Sequence, residues 1–314
     1  MSHNRPELRT GDLVQVKNEE EIRATLDENG TLDALPFMPE MVKYCGKTYR
    51  VFKYTASTCV EGYGMRRMTD SVFLEGVRCD GGYHDGCQRL CLIFWKMQWL
   101  RKIKMPPQSY RATDLRAQAD PKTPDYKTQN GDVYFCQSTE LRKATIQAAW
   151  WDIRRDIADI LYNRQSLFNI IRQSLIVVYM KIQRVIRKGD YVRVRGNLAK
   201  TPTERLGLQA GEWVEVRSLA EIKQTLDSSG KNRGLELSAE MIPFCNKKMR
   251  VMSRVNRIIL EISGQMQSIN DSVILEGSSC DGTFHRGCPR DNLFLWREIW
   301  LRRIDGRDAA TEET

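Results

Sequence analysis

Two nine-residue segments of the chain combine thiols, an imidazole and glycines in one order, Cys-Asp-Gly-x-x-His-x-Gly-Cys. Thiolate sulfur and imidazole nitrogen are ligands that tetrahedral zinc accepts in proteins, at about 2.0 to 2.3 Å. Glycines let the backbone bend closely around an ion. The spacing therefore predicts one metal site in each segment. The candidate ligands are Cys79, His84 and Cys87 in the first segment, and Cys280, His285 and Cys288 in the second.

Two more cysteines extend this set. Cys45 and Cys245 occupy corresponding positions upstream of the two segments, and each would complete a set of three thiols and one imidazole. Both have apolar and aromatic neighbours, and free cysteine is one of the most buried residue types. They are therefore either the fourth ligands or thiols of a hydrophobic core.

The first segment is surrounded by thiols that the second lacks. Cys59 and Cys91 have no cysteine counterpart, and Asn292 stands at the position that matches Cys91. Together with Cys79 and Cys87 they would form an all-thiolate site, which suits zinc or an iron–sulfur cluster. We therefore expect the two sites to differ.

The letters Cys-Asp-Gly-x-x-His resemble the CDGSH iron–sulfur family, whose two-iron clusters are held by three cysteines and one histidine. The resemblance covers residues 79–84 and 280–285. The chain departs from that family by one extra residue before the histidine, and it lacks the paired upstream cysteines. The resemblance implies an iron–sulfur cluster as the alternative cofactor to Zn²⁺.

Both segments belong to a longer internal repeat with an offset of 200 residues. The aligned stretches are residues 11–30 with 211–230, 40–51 with 240–251 and, after a one-residue insertion, 70–89 with 271–290. Each copy has about 100 residues, an ordinary size for a domain. The whole tandem chain resembles an uncharacterised bacterial tandem-repeat family encoded among exopolysaccharide and natural-product biosynthesis genes. That resemblance implies a bacterial biosynthetic setting and supplies no catalytic residues.

The residues around the thiols predict the elements that must position them. In each copy an alternating apolar stretch (GDLVQVK and GEWVEVR) predicts a strand, and Asn18 and Ser218 stand where the N-cap of a following helix belongs. Later β-branched and aromatic runs predict an antiparallel hairpin. The fold class is therefore α+β, with two homologous small β-rich domains, each an SH3-like barrel or a curled sheet, joined by a helical connector.

Each copy ends in a tryptophan-rich segment. Trp95 and Trp99, like Trp296 and Trp300, are four residues apart, with leucine and isoleucine behind them. This spacing favours an amphipathic helix. Large aromatic residues mostly serve packing, so we expect these side chains to cover the core of each domain.

The connector carries nearly all of the net charge of +9, with thirteen Lys or Arg against five Asp or Glu in residues 138–200. Apolar residues at intervals of three and four predict helices from Ser138 to Arg187. Three basic residues in 167–186 argue against a membrane span there. The predicted organisation is repeat 1 at 8–104, a polar linker at 105–137, the basic amphipathic connector at 138–189, repeat 2 at 205–305 and a disordered tail at 306–314.

The sequence excludes several common enzyme classes, because it has no Walker loop, dinucleotide fingerprint, nucleophile elbow or His-Glu-x-x-His helix. Apart from His3, both histidines lie in the metal motifs, so catalysis would have to be metal-centred. We expect a zinc-binding tandem-domain accessory or interaction protein of a bacterial biosynthetic pathway. The alternative is a metal-dependent or iron–sulfur enzyme with its site in repeat 1.

The expected partner is a protein, bound through the connector or the repeat surfaces. A basic amphipathic helix also suits the surface of an anionic membrane, and nucleic acid is the least favoured partner because the repeats are close to neutral. The polar N-terminus lacks the apolar segment of a secretory signal. We therefore expect a cytoplasmic protein, with peripheral membrane attachment as a second option.

Overall fold

Alternating apolar residues form strands in this chain because one side of each strand faces a core. In the strand Leu13–Val16, Val14 and Val16 are buried, whereas Leu13 and Gln15 are partly exposed.

The computed structural model of the chain describes residues 8–104, 125–147, 149, 152–186, 194–285 and 287–305. Strands outnumber helices in these residues, so the predicted α+β class is confirmed. His3, residues 105–124 of the predicted linker, residues 148, 150, 151 and 187–189 of the predicted connector, and the predicted tail lie outside the described residues.

The described residues form two compact units. The first contains the residues up to Arg172 together with Ile259–Gln267 and Gly287–Arg290, and the second contains the rest. Two short segments that the sequence assigns to repeat 2 are thus part of the first unit.

The first unit contains twelve short strands in its described residues up to Arg172. In chain order they are β1 (Leu13–Val16), β2 (Thr31–Leu32), β3 (Leu35–Pro36), β4 (Thr48–Tyr54), β5 (Ser57–Val60), β6 (Gly64–Arg67), β7 (Ser71–Arg78), β8 (Leu92–Lys96), β9 (Leu100–Lys102), β10 (Gln129–Asn130), β11 (Val133–Tyr134) and β12 (Ile146–Gln147). Its helices are α1 (Glu19–Arg23), α2 (Pro39–Val42), α3 (Gln137–Glu140) and α4 (Arg154–Asn163).

Five of these strands form a curled, half-barrel sheet in the order β8-β7-β4-β1-β9. Leu13 pairs with Arg50 across β1 and β4, and Val16 pairs with Leu100 across β1 and β9. The pairing of β4 with β7 is antiparallel, as the sequence predicts, although the hairpin of β5 and β6 lies between them in the chain. A second sheet has the order β12-β6-β5. The turn after β7 carries the first metal motif.

The prediction of a closing helix at the tryptophans is wrong. Trp95 lies on β8, Trp99 lies in the 3-10 turn Met97–Trp99, and β9 follows directly. Both indoles are fully buried, because a strand followed by one tight turn also returns residues four apart to the same side. The Nε1–H of Trp99 donates to Thr25 Oγ1 at 3.0 Å, which satisfies its polar atom inside the core.

The second unit contains a sheet with the same strand order as the first. Its elements are β13 (Trp213–Val216), α6 (Leu219–Lys223), β14 (Lys231–Asn232), β15 (Leu235–Glu236), β16 (Lys248–Ile259), β17 (Met266–Ser279), β18 (Leu293–Arg297) and β19 (Leu301–Arg303). The order is β18-β17-β16-β13-β19, and Trp213 pairs with Arg250 across β13 and β16. Trp296 and Trp300 are fully buried in its core.

Both predicted N-caps are confirmed. Asn18 precedes α1, and its backbone N–H donates to Glu21 Oε2 at 3.1 Å. Ser218 precedes α6, and its Oγ accepts the backbone N–H of Glu221 at 3.3 Å. Each carboxylate sits in the first turn, where it also faces the positive end of the helix dipole.

The prediction that the connector is helical from Ser138 onward is only partly correct, because a strand lies within its described part. After α3 the chain forms β12, then α4, and then the long helix α5 (Leu167–Ile186). One side of α5 is apolar and exposed, with Phe168 74% and Leu175 62% accessible. No helix in the described stretches combines the length and the apolar character that crossing a bilayer requires.

Candidate functional site

The turn that follows β7 brings the two thiols of the first motif close to Cys91. The backbone N–H of Cys79 donates to the carbonyl oxygen of Cys91 at 2.8 Å. The backbone N–H of Cys87 donates to the carbonyl oxygen of His84 at 3.1 Å. Gly81 has a φ of +69°, and a Cβ there would lie 2.1 Å from the carbonyl oxygen of Cys87. Glycine is therefore required for the tight loop that places Cys79 beside Cys87.

Four cysteines line one cavity in the first unit. They are Cys79, Cys87, Cys91 and Cys136, and His84 also lies in its wall. The cavity volume is about 40 Å³. A single water needs about 10 to 15 Å³, whereas sites for organic ligands have about 300 to 1,000 Å³. The cavity therefore has room for an ion or a few waters and excludes an organic substrate.

Cys136 is the ligand candidate that sequence reasoning missed. It follows β11, is buried, and is fixed by its backbone N–H, which donates to Thr139 Oγ1 at 3.0 Å. It lies outside both aligned repeats, so the comparison of the two copies did not identify it. The one available signal was that an odd ninth cysteine stands among aromatic residues, in the stretch Tyr-Phe-Cys.

Burial favours the protonated form of Cys79, Cys87 and Cys136. It raises the pKa of Cys79, with a further contribution from the charge of Glu40, and it raises the pKa of Cys87. Burial also raises the pKa of Cys136 to about 12. Thiolates in this cavity would repel one another, so their formation requires a cation that can offset the negative charge.

His84 makes hydrogen bonds through both of its ring nitrogens. Its Nδ1 lies 2.5 Å from Glu40 Oε1 and its Nε2 lies 3.1 Å from the carbonyl oxygen of Phe135. Both acceptors are satisfied at once by a protonated ring, which has two N–H donors. Burial lowers the pKa of His84, but the hydrogen bond and charge of Glu40 outweigh that effect, and the pKa is raised overall.

The Glu40 contact was also missed from the sequence, although both copies begin the matching stretch with this glutamate. Oε1 of Glu40 accepts the backbone N–H of Tyr83 at 3.1 Å as well as contacting His84. The carboxylate therefore anchors the motif turn to α2 at two points.

The thiols of the cavity do not form a ready-made coordination shell. Among the residues that the structure describes, no group of three or more His, Cys, Asp or Glu side chains has the arrangement of a metal site. The nine cysteines are all thiols. What the fold establishes is that four of them share one small cavity, three from the loop between β7 and β8 and one from the segment after β11.

Cys59 forms a separate pair with Cys288 inside the first unit. Their Sγ atoms are 3.1 Å apart, and the backbone N–H of Cys59 donates to Cys288 Sγ at 3.2 Å. The backbone N–H of Arg290 donates to the same sulfur. Cys288 Sγ thus accepts two backbone donors and shares one hydrogen bond with Cys59 Sγ. That hydrogen bond lowers the pKa of Cys288 and raises the pKa of Cys59.

The second motif is only partly assembled in the second unit. His285 Nε2 lies 3.3 Å from Glu240 Oε1, so the corresponding His–Glu pair is also in contact here, through the other ring nitrogen. The backbone N–H of Cys280 donates to the carbonyl of Asn292 at 2.9 Å, as Cys79 does to Cys91. Cys288, however, belongs to the first unit.

The ten predicted ligands thus fall into four groups. Cys79, His84, Cys87 and Cys91 line the cavity, and Cys59 and Cys288 form the separate pair. Cys280 and His285 lie in the second motif, and Cys45 and Cys245 pack against the two hydrophobic cores.

No protein-family model, no curated protein and no solved structure matches the chain.

Proposed function

We propose that the chain is a zinc-binding tandem-domain protein that holds one ion in the first unit, among Cys79, Cys87, Cys91 and Cys136. The observation that carries the proposal is the convergence of four thiols on a cavity of about 40 Å³. Two cysteines and their neighbours in a glycine-rich turn have little packing reason to occur together. A bound cation would explain why they occur together, because it stabilises thiolates that burial otherwise disfavours.

The size and chemistry of the cavity favour Zn²⁺ over the alternatives. Four thiolates satisfy tetrahedral zinc completely and leave no open position for a substrate, so the site is structural. An iron–sulfur cluster uses the same ligand type but brings its own bridging sulfides and needs more room. Binding requires rotation of the cysteine side chains toward the ion, and each has three staggered χ1 rotamers for that movement.

One ion per chain is expected, although the motif occurs twice. In the second repeat Asn292 stands at the position of Cys91, and Cys288 lies in the first unit. His84 acts beside the site rather than as a ligand, because Glu40 and the carbonyl of Phe135 hold both of its nitrogens.

The wider role is that of an accessory or interaction protein. The repeat in the sequence and the identical strand order of the two sheets support two copies of one domain, each a curled, SH3-like sheet. A partner protein would bind through the exposed apolar face of α5, with an anionic membrane surface as the second option. The bacterial biosynthetic setting and the cytoplasmic location rest on the sequence alone.

Metal analysis of the full chain tests the proposal. Protein produced without oxygen and with added Zn²⁺ should carry one zinc per chain by mass spectrometry of the native protein. Replacement of zinc by Co²⁺ should give the intense thiolate-to-cobalt absorption of a four-sulfur site. Cys136→Ser should abolish both signals, while Cys45→Ser, a matched change of a core thiol, should leave them intact.

The same experiment distinguishes the zinc site from the iron–sulfur alternative. A brown protein containing iron, whose colour bleaches on reduction, would replace the zinc proposal with the iron–sulfur alternative and reopen the question of catalysis. Wild-type protein that binds neither metal would remove the basis of both. Zinc retained by Cys136→Ser would place the site elsewhere.

A further inference from the structure

A second pair of thiols, outside the cavity, lies close enough to react. Cys59 on β5 and Cys288 are 229 residues apart in sequence, yet their Sγ atoms are separated by 3.1 Å. A disulfide needs a sulfur–sulfur distance of about 2.0 Å, so an approach of about 1 Å would join them. Both residues belong to the first unit, so this proximity is a property of that unit by itself.

A buried ion pair fixes the backbone on both sides of these thiols. Arg290 donates to the carbonyl oxygen of Cys59 at 3.0 Å and contacts Glu261 Oε2 at 2.7 Å. Glu261 Oε1 accepts the backbone N–H of Glu61 at 2.9 Å. The side chains of Arg290 and Glu261 are 6% and 2% exposed, so these contacts are little screened by water. The strand that carries Cys59 is therefore locked to the segment that carries Cys288.

The two sulfurs have different surroundings. Cys288 is 2% exposed and its sulfur accepts two backbone N–H groups, from Cys59 and from Arg290, which stabilise negative charge on it. Cys59 is partly exposed, and its sulfur lies 3.1 Å from that of Cys288. The pair has the arrangement of an attacking thiolate with a second thiol in reach. Only a small oxidant can reach a sulfur as buried as that of Cys288.

We propose that Cys59 and Cys288 are a redox-active dithiol that is oxidised to a disulfide by hydrogen peroxide or a comparably small hydroperoxide. The Cys288 thiolate attacks one peroxide oxygen, the O–O bond breaks, and the leaving hydroxide takes a proton to become water. Cys288 is then a sulfenic acid. Cys59 attacks this sulfur, the S–S bond forms as the S–O bond breaks, and the second hydroxide takes the proton of Cys59.

The atoms and electrons of this sequence balance. Two thiols and one hydrogen peroxide give one disulfide and two waters, with two electrons moving from sulfur to oxygen. An organic hydroperoxide would give one alcohol and one water. A thiol reductant of low molecular weight would reverse the change by thiol–disulfide exchange. The site is independent of the ion proposed above, since none of the four cavity thiols takes part.

The test uses the full zinc-loaded chain treated with one equivalent of hydrogen peroxide. Intact-mass analysis should show the loss of two hydrogen atoms, and non-reducing proteolysis should yield one peptide pair joined through Cys59 and Cys288. In Cys59→Ser, unfolding of the peroxide-treated protein in the presence of dimedone should label Cys288 as the sulfenic acid. Cys245→Ser should form the same cross-link as the wild type.

Several outcomes would overturn the proposal. The first is oxidation of the wild type at other cysteines without the joined peptide. The second is release of zinc together with disulfides among the cavity thiols. The third is the absence of a dimedone adduct in a Cys59→Ser protein whose melting temperature equals that of the wild type. If Cys59→Ser does not fold, the cross-link in wild-type and Cys245→Ser protein decides alone.

Discussion

Oε1 of Glu40 lies 2.5 Å from Nδ1 of His84, and both side chains are almost completely buried. The contact joins α2 to the motif turn. In the second unit the corresponding pair, Glu240 and His285, is 3.3 Å apart, and His285 is 48% exposed. The same relationship therefore occurs twice in one chain, once buried and once partly in water, and each pair can serve as the control for the other.

Glu40→Gln should lower the pKa of His84, because burial then opposes protonation without a carboxylate to offset it. We expect a loss of about 1 to 3 kcal/mol in the free energy of unfolding, as for a buried hydrogen bond to a charged group. NMR titration of the ring and urea unfolding measure the two effects. Glu240→Gln is the matched control and should cost less than half as much; equal losses would contradict the assigned role of burial.

The same contact predicts a pH dependence. Because the pKa of His84 is raised on folding, its contribution is complete below the unfolded value of about 6.5 and is lost as pH rises through the folded value. The difference in unfolding free energy between wild type and His84→Gln should therefore be largest in mild acid and smaller in alkaline solution. Urea unfolding of both proteins across this range measures it. A difference that grows with pH would show that the charged ring does not stabilise the fold.

Gly81→Ala should disrupt the motif turn. Its Cβ would lie 2.1 Å from the carbonyl oxygen of Cys87, and the positive φ of +69° adds strain, so we expect a loss of more than about 2 kcal/mol. Gly82→Ala is the control, because its Cβ would meet only the flexible side chain of Asp80, at 3.4 Å. Its cost should stay within about 0.5 kcal/mol. Similar unfolding curves for both variants would mean that the turn is not held as tightly as its hydrogen bonds indicate.

The sequence predicted the strands and caps well because these depend on local patterns. Val14 and Val16 alternate with polar neighbours, and Asn18 precedes a run of helix-forming residues, so each could be recognised from a few positions. The spacing of Trp95 and Trp99 was misleading, because an interval of four residues fits a strand followed by a tight turn as well as a helix.

The arrangement of the thiols depended on contacts between distant segments. Cys136 reaches the cavity from outside the repeats, and Cys59 meets Cys288 across 229 residues, so neither could follow from a comparison of the two copies. The comparison could have identified Glu40, since Glu240 occupies the same place. Repeated polar residues at buried positions are a signal for paired contacts, in addition to repeated cysteines.

Removal of the proposed ion should destabilise the first unit. With free Zn²⁺ at about 100 times its dissociation constant, binding adds about 2.7 kcal/mol, which corresponds to roughly 5 to 11 °C in Tm for a unit of this size. A chelator should remove this increment from wild-type protein and from Cys245→Ser, whose altered thiol packs in the other core. Cys91→Ser should melt at the chelated temperature with or without zinc, because one lost thiolate opens the coordination shell. A chelator-induced decrease of the same size in Cys91→Ser would mean that the stabilising ion is bound by other residues.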